Sequence, residues 1–141
     1  MSVNSVFLKG LTPEAKAALG SSLFEIKQFP FRMGRESRNL GKSENRPDSR
    51  RKPDSVRNND IYLVELGRVF NVSREHLLID YREGGYILMD RGSTCGTLVE
   101  GELVGEKRKG GSIPLRNNDV IIVGTSESKF IFKFVVLEEH S

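Results

Sequence analysis

The chain has one cysteine, Cys95, two histidines and no tryptophan in 141 residues. A single cysteine excludes an intrachain disulfide and leaves no cluster at metal-ligand spacing. Long apolar runs are missing as well. Phe130 to Leu137, interrupted by Lys133, is among the longest, well short of the ~20 residues a membrane helix needs. The opening Met1-Ser2-Val3-Asn4 lacks the basic region and apolar core of a secretion signal, so the expected location is cytoplasmic. The motifs GxSxG, HExxH and CxxC are all missing. The stretch from Gly105 to Ser112 copies the glycine spacing of a phosphate-binding P-loop, but Gly111 stands where the lysine is required and no helix pattern follows. The sequence therefore points away from an enzyme, and it assigns no catalytic residue, no metal and no cofactor.

What remains is an ordinary soluble composition. Hydrophobic residues make up 37% and charged residues 29%, and a chain this long buries roughly 70% of its unfolded surface as one domain. Residues 1–141 are expected to form that single unit. The net charge is only +3, but seven of the basic residues lie between Ser37 and Asn59 against three acidic ones. Such a surface favours anionic partners without choosing among them.

The pattern along the chain is one of short strands. Val3 to Leu8 predicts the first. A short helix follows, with Thr12 as N-cap, Pro13 at its first position and Gly20 to stop it. Strands are predicted over 22–28, 31–34, 61–66, 76–81, 86–90, 97–99, 120–123 and 129–138. Turn signals separate them, including Asp90-Arg91-Gly92-Ser93 and Lys109-Gly110-Gly111-Ser112. This spacing implies an all-β sandwich or barrel. Residues 37–59 carry only Leu40 and Val56 as aliphatics and are expected to be a flexible basic insertion.

Three loop sequences carry groups suited to an oxyanion: Gly34-Arg35, Ser73-Arg74-Glu75-His76, and Asp90-Arg91-Gly92-Ser93-Thr94-Cys95-Gly96-Thr97. Guanidinium forks, hydroxyls and free backbone amides are phosphate ligands. Taken in order, with Asn58-Asn59-Asp60-Ile61 and the Leu115–Gly124 segment, they closely resemble the forkhead-associated (FHA) signature of GR, SRxHxxI and DxxSxNGT. The resemblance implies a β-sandwich of about eleven strands that presents phosphothreonine-binding loops at one end, in a phosphopeptide-dependent signalling adaptor. It places Arg35, Ser73, Arg74 and Thr94 on the phosphate. Gly34, His76, Asp90, Gly96 and Thr97 become structural support. The implied partner is a phosphothreonine protein made by a Ser/Thr kinase.

One departure concerns Cys95, which stands where the family has an asparagine that holds the bound peptide's backbone. A thiol is a weak donor and acceptor and cannot copy an amide. Two other readings stay open at this point. The basic insertion is suited to nucleic acid or another polyanion, although no Phe or Tyr lies between Phe31 and Tyr62 to stack bases. A degenerate domain that binds its partner without phosphate is the other.

Overall fold

The structure is a computed structural model that describes residues 2–37, 58–66 and 70–140. Most of the expected 37–59 insertion lies outside the described residues. Eleven strands and one helix are found among those that are described: β1 (Ser2–Gly10), α1 (Pro13–Leu19), β2 (Leu23–Ile26), β3 (Phe31–Arg35), β4 (Ile61–Leu63), β5 (Leu77–Arg82), β6 (Gly85–Asp90), β7 (Thr97–Val99), β8 (Glu102–Val104), β9 (Gly111–Leu115), β10 (Val120–Val123) and β11 (Ile131–His140). They form a six-stranded sheet in the order β2-β1-β11-β10-β7-β8 and a five-stranded sheet in the order β4-β3-β5-β6-β9. No helix among the described residues is long and apolar enough to cross a membrane.

Alternation along the strands builds the core. Successive strand side chains point to opposite faces, so Leu77 and Ile79 on β5, Ile121 and Val123 on β10, and Phe132 and Phe134 on β11 all turn inward and are fully buried. They meet Leu8, Met33, Leu63 and Leu88 in one apolar layer between the sheets. Tyr86 packs edge-on against Phe134, with ring centroids 5.3 Å apart, and so ties the two sheets together. The helix closes one side as its signals predict. Thr12 Oγ1 accepts the Ala15 amide, and Gly20 takes the left-handed cap at φ 78°.

Two strands escape the sequence pattern. β8 has the burial pattern exposed-exposed-buried, which leaves almost no apolar alternation to read. β9 begins at Gly111, inside what reads as a turn, because Gly111 pairs with Asp90 and Ser112 with Met89 on β6. The segment after the P-loop-like glycines is thus a strand. β4 ends at Leu63, three residues short of expectation, because Glu65 is occupied elsewhere, as described below. β3 and β4 pair in parallel, with Met33 opposite Ile61. A parallel pair cannot be joined by a tight turn. Asp60 fastens the pair by accepting the Arg32 amide at 2.9 Å and its Nε at 3.2 Å.

Candidate functional site

The end of β3 and the loops β4–β5, β6–β7 and β8–β9 are stitched together at one end of the sandwich. The Arg35 amide donates to the Ser73 carbonyl at 2.9 Å, and the Thr94 amide donates to Ser73 Oγ at 3.1 Å. From the last loop, the Lys107 and Arg108 amides donate to the carbonyls of Thr94 and Ser93 at 2.8 and 2.9 Å. The result is an open, strongly polar groove of about 560 Å³. Among the described residues, Arg35, Arg74, Arg91 and Arg108 line it together with Ser73, Thr94 and one acid, Glu75.

Each wall has a physical cause. Gly34 lets two backbones touch: a Cβ there would stand 1.9 Å from the Arg74 carbonyl oxygen, which no side chain permits. Asn59, fully buried, spans the same spot. Its Nδ2 donates to the Arg74 carbonyl at 2.7 Å, and its Oδ1 accepts Arg91 Nη1 at 2.8 Å. His76 is also fully buried. Its Nδ1 accepts the Ser73 amide at 2.9 Å, which leaves Nε2 as the donor to the Gly96 carbonyl at 2.7 Å. The ring therefore joins the Ser73 loop to the Gly96 loop as a neutral imidazole. Burial, before any other influence, holds its pKa below the usual histidine value, although the Gly96 bond and the Asp90 charge oppose this.

Asp90 organises the third loop. One carboxylate oxygen accepts the Gly92 and Ser93 amides at 3.0 and 2.7 Å. The other accepts the hydroxyls of Ser93 and Thr97 at 2.6 and 3.1 Å. Ser93 Oγ in turn accepts the Gly96 amide at 2.9 Å. Gly96 sits at φ 82°, where a Cβ would stand 2.1 Å from the Gly105 carbonyl oxygen.

Arg35 is held from below. Its Nε donates to the Val72 carbonyl at 2.9 Å, and its guanidinium carbon lies 4.2 Å from the centre of the Phe70 ring. Burial first, and then the neighbouring Arg74 charge, pull its pKa down; Glu65 works the other way. Glu65 accepts the amides of Asn71 and Val72 at 2.8 and 2.9 Å and so fixes the segment on which Arg35 rests. Cys95 stands beside the groove rather than in its lining, with Sγ 3.8 Å from the Phe70 carbonyl oxygen.

The structure thus brings Arg35, Ser73, Arg74 and Thr94 into one groove, with Gly34, His76, Asp90, Gly96 and Thr97 behind it. Sequence reasoning missed Glu65, Phe70, Arg91 and Arg108. Arg91 lies within the third loop sequence, Asp90 to Thr97, and its charge was the available signal. Arg108 follows a weak strand, and nothing local marks it.

The model of the FHA domain matches residues 32–124, more than half of the chain. The chain belongs to the FHA domain family. A search of the curated proteins returns no match. Among solved structures, this FHA domain is similar to EmbR of Mycobacterium tuberculosis in complex with a low-affinity phosphopeptide (20% identity, TM-score 0.56). That match covers 93% of this chain but only 24% of EmbR, so the domain spans about a quarter of that protein's length. It also resembles the kinase-interacting FHA domain of the kinase-associated protein phosphatase KAPP in Arabidopsis (18% identity, 98% of each chain, TM-score 0.62). A third similar structure comes from work on phosphothreonine-dependent FHA domain interactions (20% identity, 93% of this chain and 95% of that one, TM-score 0.54). At these identities the likeness establishes the shared sandwich fold.

Proposed function

We propose that this FHA domain is a non-catalytic adaptor that binds a phosphothreonine-bearing segment of a partner protein modified by a Ser/Thr kinase. The observation that carries the reading is the convergence of Arg35, Ser73, Arg74 and Thr94 on one groove whose loops are braced by fully buried His76 and Asn59. A phosphothreonine brings about −1.5 to −2 charges at neutral pH and three acceptor oxygens. Arg35 and Arg74 supply matching charge and directional N–H donors. Ser73 Oγ uses a lone pair for the Thr94 amide, which leaves its O–H to donate to a phosphate oxygen. The Arg35–Arg74 repulsion is relieved when an anion sits between them. The phosphopeptide in the EmbR complex and the phosphothreonine dependence named for the third similar structure support the same reading.

The test is a titration with a phosphothreonine peptide library against the same peptides without phosphate. Binding is expected only with phosphate, and Arg35→Ala is expected to weaken it by at least about tenfold, the scale of a charge-assisted pair. Equal binding of the unphosphorylated peptides sinks the reading.

A further inference from the structure

The groove holds more positive charge than one phosphothreonine uses. Among the described residues four arginines line it against one glutamate, while a single phosphate brings about −1.5 to −2. Arg35 and Arg74 meet that demand, which leaves Arg91 and Arg108 against Glu75, a surplus of about one positive charge.

Arg91 is built into place. Its side chain is only 16% exposed, and one end of its guanidinium donates to Asn59 Oδ1 at 2.8 Å, a neutral acceptor that cancels no charge. Glu75 stands 4.0 Å from Nη2, beyond hydrogen-bond reach, and is itself mostly exposed and engaged with Asn58 Nδ2 at 3.3 Å. Burial, the largest influence, pulls the Arg91 pKa down, and the charges of Glu75 and Asp60 offset part of that cost; an anion brought into the groove offsets more of it.

Arg108 reaches the groove on the tight turn between β8 and β9. Lys107 and Arg108 both take left-handed conformations, at φ 54° and 66°, which residues other than glycine rarely adopt. Their amides are nonetheless pinned to the carbonyls of Thr94 and Ser93, so the turn is docked on the loop that carries Thr94. The Arg108 side chain is exposed and, among the described residues, takes part in no salt bridge. The Lys109 amide closes this turn on the Glu106 carbonyl at 3.0 Å, so Arg108 is carried on a hydrogen-bonded turn docked beside the groove.

We propose that Arg91 and Arg108 form a second anion subsite in this groove, so that the preferred partner carries another negative charge, a carboxylate or a second phosphate, within a few residues of its phosphothreonine. This inference rests on the phosphothreonine reading above.

The experiment scans a glutamate, and separately a phosphoserine, through the positions flanking the phosphothreonine of an otherwise neutral peptide, by calorimetry at near-physiological salt. The readout is the gain, meaning the affinity ratio of the dianionic to the singly phosphorylated peptide for the same protein. Wild type should show a gain of about tenfold or more at one to three adjacent positions and none at distant ones, as a local charge pair requires. A gain with both probes assigns the subsite to any anion, and a gain with phosphoserine alone assigns it to phosphate. Either result supports the subsite if Arg108→Gln and Arg91→Gln each cut the gain to about threefold or less. Thermal melts of the Arg91 variant check that it folds, and the exposed Arg108 provides the second, independent variant. Phosphate-dependent binding with no gain at any position, or a gain that survives both substitutions, overturns the subsite alone. Binding that ignores the phosphothreonine overturns the reading beneath it as well.

Discussion

The alpha carbon of Gly34 lies so close to the carbonyl oxygen of Arg74 that a methyl group added there would stand 1.9 Å from it. This contact fixes how closely two walls of the groove approach, because Arg35 follows on one strand and Ser73 precedes Arg74 on the other loop. Gly34→Ala should push the two segments apart. The expected cost is about 1–3 kcal/mol of stability, typical of overpacking, with a loss of phosphopeptide affinity. Urea denaturation and peptide titration of the same variant measure both.

His76 makes stability depend on pH. Its folded pKa is depressed, chiefly by burial, from the ordinary value of 6.5. Below that value the unfolded chain binds the proton more readily than the folded one, so stability must fall with falling pH. The contribution is complete above about pH 6.5 and is lost progressively on acidification toward the folded pKa. His76→Gln should flatten the slope in this window. It should also lower stability at neutral pH by about 1–3 kcal/mol, the scale for a disrupted buried hydrogen-bonding group. Denaturation midpoints collected between about pH 5 and 7 give both quantities.

Asp90 accepts four hydrogen bonds with its two carboxylate oxygens. In Asp90→Asn an amide that can only donate replaces one of those oxygens, facing groups that donate. A destabilisation of about 2–3 kcal/mol is expected. If the melting curve of the variant overlays that of wild type, the third loop is held together by something else.

Phe70 is 40% exposed, so Phe70→Ala should leave the fold intact while removing the ring beneath Arg35. The cation–π contact is worth about 0.5–1 kcal/mol at such a site. Phosphopeptide affinity should therefore fall about two- to fivefold with little change in melting temperature. Phe70→Leu, which keeps bulk but not the π face, should resemble the alanine variant.

Cys95 stands where the FHA pattern has asparagine. An amide there offers a donor and an acceptor to a bound peptide's backbone, where a thiol offers little. Cys95→Asn is expected to tighten phosphopeptide binding by about tenfold, the worth of one to two hydrogen bonds. Unchanged affinity would show that the peptide's backbone does not reach this position.

Much of the sandwich is legible in the sequence because its inner strands alternate. Leu77-Leu78-Ile79 and Val120–Val123 announce both their strand character and their buried face. β8 and β9 are not legible, since their pairing with β7 and β6 comes from tertiary register, not from apolar periodicity. The same distinction holds at the groove. Arg35, Ser73 and Thr94 fall in short motifs that can be recognised one loop at a time. Glu65 does not, because its role is to accept the amides of Asn71 and Val72, and no local signal marks a carboxylate that will turn back on its own loop. Arg108 reaches the groove only through a left-handed turn docked on Ser93 and Thr94, which is a property of the folded molecule.

The most direct test of the phosphate site is a map of backbone amide shifts in the labelled domain on adding one phosphothreonine peptide and, separately, its unphosphorylated twin. The largest phosphate-dependent shifts are predicted at Arg35, Ser73, Arg74 and Thr94, which share the groove. Little change is expected around Glu102 and Ile113, which lie outside it. Shifts centred elsewhere on the sandwich, or identical shifts with both peptides, would contradict the account.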